Sequence, residues 1–209
     1  MKTLNNYIVE KLKINKNKLK SGPECTLFPE TMEELANMIN KEIEQNGNRC
    51  DLNHIDTNKI KNMSFLFSKG AKFGLSNFNG DISQWDVSNV TDMKYMFAHS
   101  DFNGNISDWD VSNVKDMECM FEYSKFNGDL FKWDISKVKD MSHMFEHSEF
   151  NNDSICNWDV SNVGNMMSMF LNSPFNHDIS NWKLHPKCAI SSIFIGCAIN
   201  REFEPKCLQ

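Results

Sequence analysis

The chain restarts the same sentence of about 24 residues at Phe78, Phe102, Phe126, Phe150 and Phe175, as in FNGDISQWDVSNVTDMKYMFAHSD and then FNGNISDWDVSNVKDMECMFEYSK. A fixed period in this range demands an array in which each unit buries its apolar face only by stacking on its neighbours. That constraint also sets how every motif is read. A residue that recurs in each period belongs to the frame, and specificity is sought in the slots that vary. The five tryptophans, Trp85, Trp109, Trp133, Trp158 and Trp182, stand 24, 24, 25 and 24 apart. The single 25 marks one extra residue at Ser154 or Ile155. Degenerate units flank the array. Ile55 to Phe67 aligns with Trp85 to Phe97 after about six extra residues within 68–77, and Ala189 to Asn200 aligns with Asn165 to Asn176. Atypical end units are what a stacked array needs to close its core against water.

Within each unit the apolar period changes. Trp109-Asp110-Val111-Ser112 alternates as a strand does, with Trp and Val inward. Val114, Met117, Met120 and Phe121 then follow helical spacing. Phe126-Asn127-Gly128-Asp129 is turn chemistry. The expected fold is an α/β solenoid of ~24-residue units, each a short parallel strand followed by a short helix or 3₁₀ turn. A helix precedes it. Thr31 with Glu34 three residues on is a capping box, and Leu35, Met38, Ile39 and Ile43 give one apolar face. Asn46-Gly47 is a stop signal. This helix is expected to cover the open N-terminal end. The domain reading is a lysine-rich segment and linker over 1–22, a capping-helix region over 23–50 and the repeat array over 51–209 with a degenerate C-terminal cap. Within the first segment, residues 1–14 have the pattern of a short amphipathic helix.

The run Ile106, Trp109, Val111, Val114, followed by Met117-x-x-Met120-Phe121, resembles the leucine-rich-repeat class of BspA-type surface proteins. More closely, it is similar to the mycoplasma-type repeat domain of unknown function, whose units read WDVSNVTDM-x-x-MF. The lead-in PETMEELANMINKEIEQNG is also similar to what precedes such arrays. The resemblance spans roughly residues 29–200. It implies a leucine-rich-repeat-like, right-handed coil with a binding or adhesive role and no enzymatic activity.

No stretch approaches the roughly 18 apolar residues of a membrane span, and the first residues lack the apolar run of a secretory signal. Seven cysteines, odd in number and not recurring at one slot, point to free thiols in a reducing compartment. The localisation expected from this is cytoplasmic or phage-associated rather than secreted. Charge is uneven. Residues 1–20 carry a net +5, which leaves −11 on the rest of a chain whose total is −6. A body of that sign is a poor nucleic-acid binder.

His143-Met144-Phe145-Glu146-His147 matches the H-x-x-E-H pattern of a zinc protease. The repeat dissolves it, because Met144-Phe145 is the frame pair found in the other units and no third ligand with suitable spacing follows. No nucleophile elbow, phosphate loop or paired zinc spacing is present. No cofactor is expected and no catalytic residue is assigned. Asp86, Asp110, Asp134 and Asp159 share one slot; Asp92, Asp116 and Asp140 share a second; Asp81, Asp129, Asp153 and Asp178 share a third. Like charges about 5 Å apart repel by roughly 1 kcal/mol per pair in water, so something must offset them. Local capping of the next turn does so. Calcium held between units, with Asp86, Asp110, Asp134 and Asp159 as ligands, is the alternative. The slots that vary are Gln84, Asp108, Lys132 and Asn157 beside the tryptophans, and Tyr95, His99, Tyr123, His143 and His147 on the other edge. These are the candidate binding residues. The expected function is a non-enzymatic scaffold, monomeric, for protein–protein interaction or adhesion. The alternative is a structural component of a cell surface, phage virion or envelope with calcium-stabilised Asp ladders.

Overall fold

A computed structural model describes residues 24–209. The lysine-rich segment and the helix expected over 1–14 lie outside the described residues. The first element is helix α1, Met32–Asn46. It starts where the sequence places it, with Thr31 Oγ1 accepting the Glu34 N–H at 3.2 Å. The Glu34 carboxylate reaches one residue further back than a capping box requires, taking the Glu30 N–H at 2.8 Å. It ends at Gly47, whose φ of 82° lets its N–H return to the Ile43 carbonyl. Leu35, Ala36 and Ile39 are buried in the same apolar cluster as the first repeat unit. At the rim, Glu33 pairs with Lys72, Glu42 with His54, and the Asn40 amide donates to the Phe73 carbonyl.

The expected α/β solenoid, with a strand and a helix in every leucine-rich-repeat-like unit, is not what the rest of the chain forms. Beyond α1 the described residues hold only two single-turn 3₁₀ segments, Asp153–Ile155 and Arg201–Phe203, and no strand. Lateral pairing is reduced to single parallel bridges, running Asn62, Asp92, Asp116, Asp140, Asn165 and Ala189 from unit to unit. Each failure has a local cause. The Trp-Asp-Val stretch cannot extend, because Asp110 Oδ1 takes the Ser112 N–H at 3.1 Å and the Val114 N–H closes on the Val111 carbonyl at 2.9 Å. The Met-x-x-Met-Phe stretch cannot coil, because a helix needs every N–H for its own i−4 carbonyl. Here alternate amides leave the unit: Met117, Cys119, Phe121 and Tyr123 donate to the carbonyls of Asp140, Ser142, Met144 and Glu146 at 2.8–3.0 Å. The amides between them, Met120, Glu122 and Ser124, each close a four-residue turn at 3.2 Å. Such turns place i and i+3 on one side. Met117 and Met120 therefore carry helical spacing without a helix.

The interior is filled by columns of aromatic rings. Phe97 stacks on Phe121, Phe121 on Phe145 and Phe145 on Phe170, each at 5.7 Å between centroids. A second column runs Phe78, Phe102, Phe126, Phe150, Phe175 at 6.2–6.4 Å. Burial of one such side chain contributes about 1.5–3 kcal/mol. The tryptophans point inward as their period requires, and each indole N–H finds a carbonyl of the preceding unit, Trp109 to Ile82 at 3.1 Å and Trp133 to Ile106 at 3.0 Å. The frame tolerates little extra volume at the Phe-Asn-Gly corner. A Cβ on Gly104 would lie 2.8 Å from the Phe102 ring and 3.1 Å from the Gly80 carbonyl oxygen.

The two ends of the array differ. Helix α1 covers one. At the other, the Ile179 N–H reaches the Phe203 carbonyl, so the last residues return along the tryptophan side. The amides of Ile190, Ser192, Phe194 and Gly196, which continue the donating row, have no acceptor among the described residues. The corner supplies a stability prediction. Gly104→Ala lowers the unfolding free energy by about 1–3 kcal/mol in urea titration. Gly164→Ala, where the nearest atom is an ordinary 3.5 Å away, changes it by less than about 0.5 kcal/mol.

Candidate functional site

The turns that replace the expected helix decide where the variable side chains go. In the first and last turns of each series the third residue has φ near +55°, as the Met93–Met96 and Phe97–Ser100 turns show with Tyr95 at 56° and His99 at 54°. Two columns of positive-φ residues result. One holds Phe65, Tyr95, Cys119, His143, Ser168 and Ser192; the other holds His99, Tyr123, His147, Asn172 and Gly196. For side chains other than Gly, Asn or Asp this conformation costs roughly 1–2 kcal/mol per residue. As far as Ser168 and Asn172 it is held because the amides of these same residues donate to the next unit, whereas Ser192 and Gly196, in the last unit, have no such acceptor among the described residues. The sequence marks these slots as varied but gives no sign of their backbone, since Tyr and Phe are unusual in it.

The second column forms a ladder on the outer edge. His99 lies on Tyr123 at 4.6 Å and 6°, Tyr123 on His147 at 4.4 Å and 11°. Asn172 Nδ2 and His147 Nε2 then meet at 3.0 Å. Tyr123 is 45% exposed. In the first column Phe65 and Tyr95 stack at 4.6 Å and 5°, with Phe65 exposed. Tyr95 then hydrogen-bonds the Cys119 thiol. That bond, with burial and the Glu118 and Glu122 charges, raises the Tyr95 hydroxyl above the ordinary phenol range. Burial pushes the Cys119 thiol up to about 12, so it is an unreactive thiol. His143 Nδ1 contacts the Glu146 carboxylate, and His147 Nε2 lies 4.0 Å from the same group. Met144 and Phe145 between them are fully buried. Thus Tyr95, His99, Tyr123, His143 and His147 do share one edge.

Gln84, Asp108, Lys132 and Asn157 form a separate, exposed row beside the tryptophans. Lys132 Nζ bonds Asp108 in the preceding unit at 2.6 Å, and the Gln84 N–H donates to Asn53 Oδ1 at 2.8 Å.

The aspartate columns are bound locally. Asp86, Asp110, Asp134 and Asp159 each accept the N–H two residues on at 3.0–3.1 Å. Asp92, Asp116 and Asp140 do the same at 2.9–3.1 Å. In the third column Asn152, not Asp153, plays this part, accepting from Ser154 at 2.9 Å. The extra residue of that unit is absorbed by the 3₁₀ turn that Asn152 caps, which shifts Asp153 out of the slot. Among the described residues no group of three or more His, Cys, Asp or Glu side chains is placed to hold a metal ion. The residues whose role the repeat concealed are the asparagines of Phe-Asn. Asn79, Asn103, Asn127, Asn151 and Asn176 each accept, through Oδ1, the N–H of the next asparagine in the series at 2.8–3.1 Å. Their recurrence after each phenylalanine was the available signal.

A family model described as Mycoplasma protein of unknown function, DUF285, matches residues 31–153 and again 122–204. No curated protein and no solved structure matches the chain.

The carboxylates give a pH prediction. The Ser136 backbone N–H and hydroxyl hold Asp134 below the ordinary carboxylate range, and the Ser161 hydroxyl and N–H do the same for Asp159. At Asp81 burial pushes upward but is outweighed by the Ser83 N–H and hydroxyl and by Asn53. A depressed native pKa means stability that is complete above the unfolded value, about 3.9, and is lost as pH falls through the native one. The urea midpoint is therefore level from pH 7 to about 4 and declines below that. Asp134→Asn with Asp159→Asn, which keep the acceptor oxygen, make the decline shallower.

Proposed function

We infer that the chain, which belongs to the family described as Mycoplasma protein of unknown function, DUF285, works as a non-enzymatic scaffold that binds another protein. The observation that supports this most is the outer ladder of His99, Tyr123 and His147. Its rings are stacked, exposed and varied on a frame that is otherwise repeated. Tyrosine is enriched among residues that carry binding energy at interfaces. Rings already held in one geometry lose little freedom on association, so more of the contact energy appears as affinity. The Phe65–Tyr95 stack widens the same edge. The acidic repeat body favours a protein over a nucleic acid as the partner. Among the described residues no helix is long and apolar enough to cross a membrane. The narrower kinship with BspA-type surface proteins, and with it an adhesive role, rests on the run Ile106, Trp109, Val111, Val114 and the Met117-x-x-Met120-Phe121 that follows, as these recur from unit to unit.

The test exchanges ladder residues for one that the frame already accepts. Asn172 occupies the same positive-φ slot, so Tyr123→Asn with His147→Asn removes the rings and leaves the fold. Quantitative affinity capture from the source cells is expected to enrich specific proteins with the wild type and to lose them by tenfold or more with the double variant. Equal recovery by both, or no specific recovery by the wild type, rejects the ladder as the contact surface.

A further inference from the structure

One unit departs from its sisters at the slot two residues before tryptophan. Ser83, Ser107 and Ser180 hold it in three units and Cys156 in a fourth; the middle unit has Phe131. Phe131 is 64% exposed, more than any other large apolar side chain among the described residues. Its backbone is fixed all the same, because its N–H donates to Asp129 Oδ1 at 2.7 Å. Two shallow clefts meet at its ring and share Ser154 and Asn157. One is floored by the edges of Trp133 and Trp158, and the other opens over the 3₁₀ turn that absorbs the extra residue of this unit.

The charges around the ring are of one sign. Asp134 and Asp159 line the first cleft, Asp129 and Asp153 the second. The nearby cations are engaged: Lys132 bonds Asp108 at 2.6 Å and Lys137 bonds Asn113 Oδ1 at 2.7 Å, both in the preceding unit. Lys137 and Lys183 act only at a distance, on Asp134 and Asp159. Asp153 and Asp178 add their negative charge beside Cys156. An exposed aromatic ring flanked by carboxylates complements a long cationic side chain. The aliphatic stem lies on the ring, the ring face attracts the cation, and the carboxylates accept its N–H groups. Phosphates of a nucleic acid are repelled by the same four groups.

We propose that the groove at Phe131 is a second binding site, which takes an arginine- or lysine-bearing segment of a partner polypeptide. The outer ladder is not part of it, so the two surfaces fail or stand independently. The probe is a fluorescein-labelled peptide of alternating arginine and glycine, titrated into the full chain by anisotropy at low and moderate salt. Saturable binding that weakens with salt is expected. Phe131→Ser, the residue of three sister slots, and Asp153→Asn each weaken it on the order of tenfold while the melting temperature stays unchanged. Tyr123→Asn leaves it unchanged. Wild-type affinity in Phe131→Ser means that the peptide reads only general negative charge, and overturns the proposal. So does the absence of saturable binding, or a Phe131-dependent affinity for a neutral oligosaccharide with none for the peptide.

Discussion

The lateral hydrogen bond from every second amide is the interaction on which this molecule depends. Met93, Tyr95, Phe97 and His99 donate to Asp116, Glu118, Met120 and Glu122, and the same register is passed on through Met117–Tyr123 and Met141–His147. Because alternate amides are committed to the neighbour, the intervening ones can only close short turns. That leaves no donor for a helical ladder. Single parallel bridges, as at Asp92, Asp116 and Asp140, are all that the lateral pairing keeps of a sheet among the described residues. The phenylalanine columns then fill the space that the turns enclose, and helix α1 covers one end.

The same register places the side chains that can act. The turns at His99, Tyr123 and His147 direct their positive-φ residue outward, and the lateral bonds hold it there against its own preference. The varied edge is therefore ordered without being part of the core. Tyr123 between His99 and His147 gains a partner on each face. Phe131 is ordered in another way, by an aspartate that takes its amide. In both cases the frame holds the backbone, and a side chain that differs from its counterparts in the sister units is left in solvent.

Much of this was legible in the chain and some was not, for physical reasons. The repeat exposed the core, since a tryptophan or Met-Phe pair returning every 24 or 25 residues has to be inside. Helix α1 was legible because Thr31, Glu34 and Gly47 act within a few residues of one another. The strand at Trp-Asp-Val and the helix at Met-x-x-Met were misread. Period two and spacing three are shared by extended chain, helix and successive turns, and only the partner of each amide separates them. Those partners lie one unit away. The positive φ of Tyr95 and Cys119 was hidden because neither residue favours it, and Asp153 was assigned to a slot that an inserted residue moved. The outer edge itself was legible, because variation on a repeated frame is visible without coordinates. That its rings touch was not, because contact depends on the turn.

The alternation of amide partners is measured directly by scalar couplings across hydrogen bonds in nuclear magnetic resonance. The account predicts that the Cys119 amide nitrogen couples to the Ser142 carbonyl carbon and that of Tyr123 to the Glu146 carbonyl carbon. Couplings instead from Cys119 to Lys115 and from Tyr123 to Cys119, four residues back, would mean a helix in each unit and would contradict it.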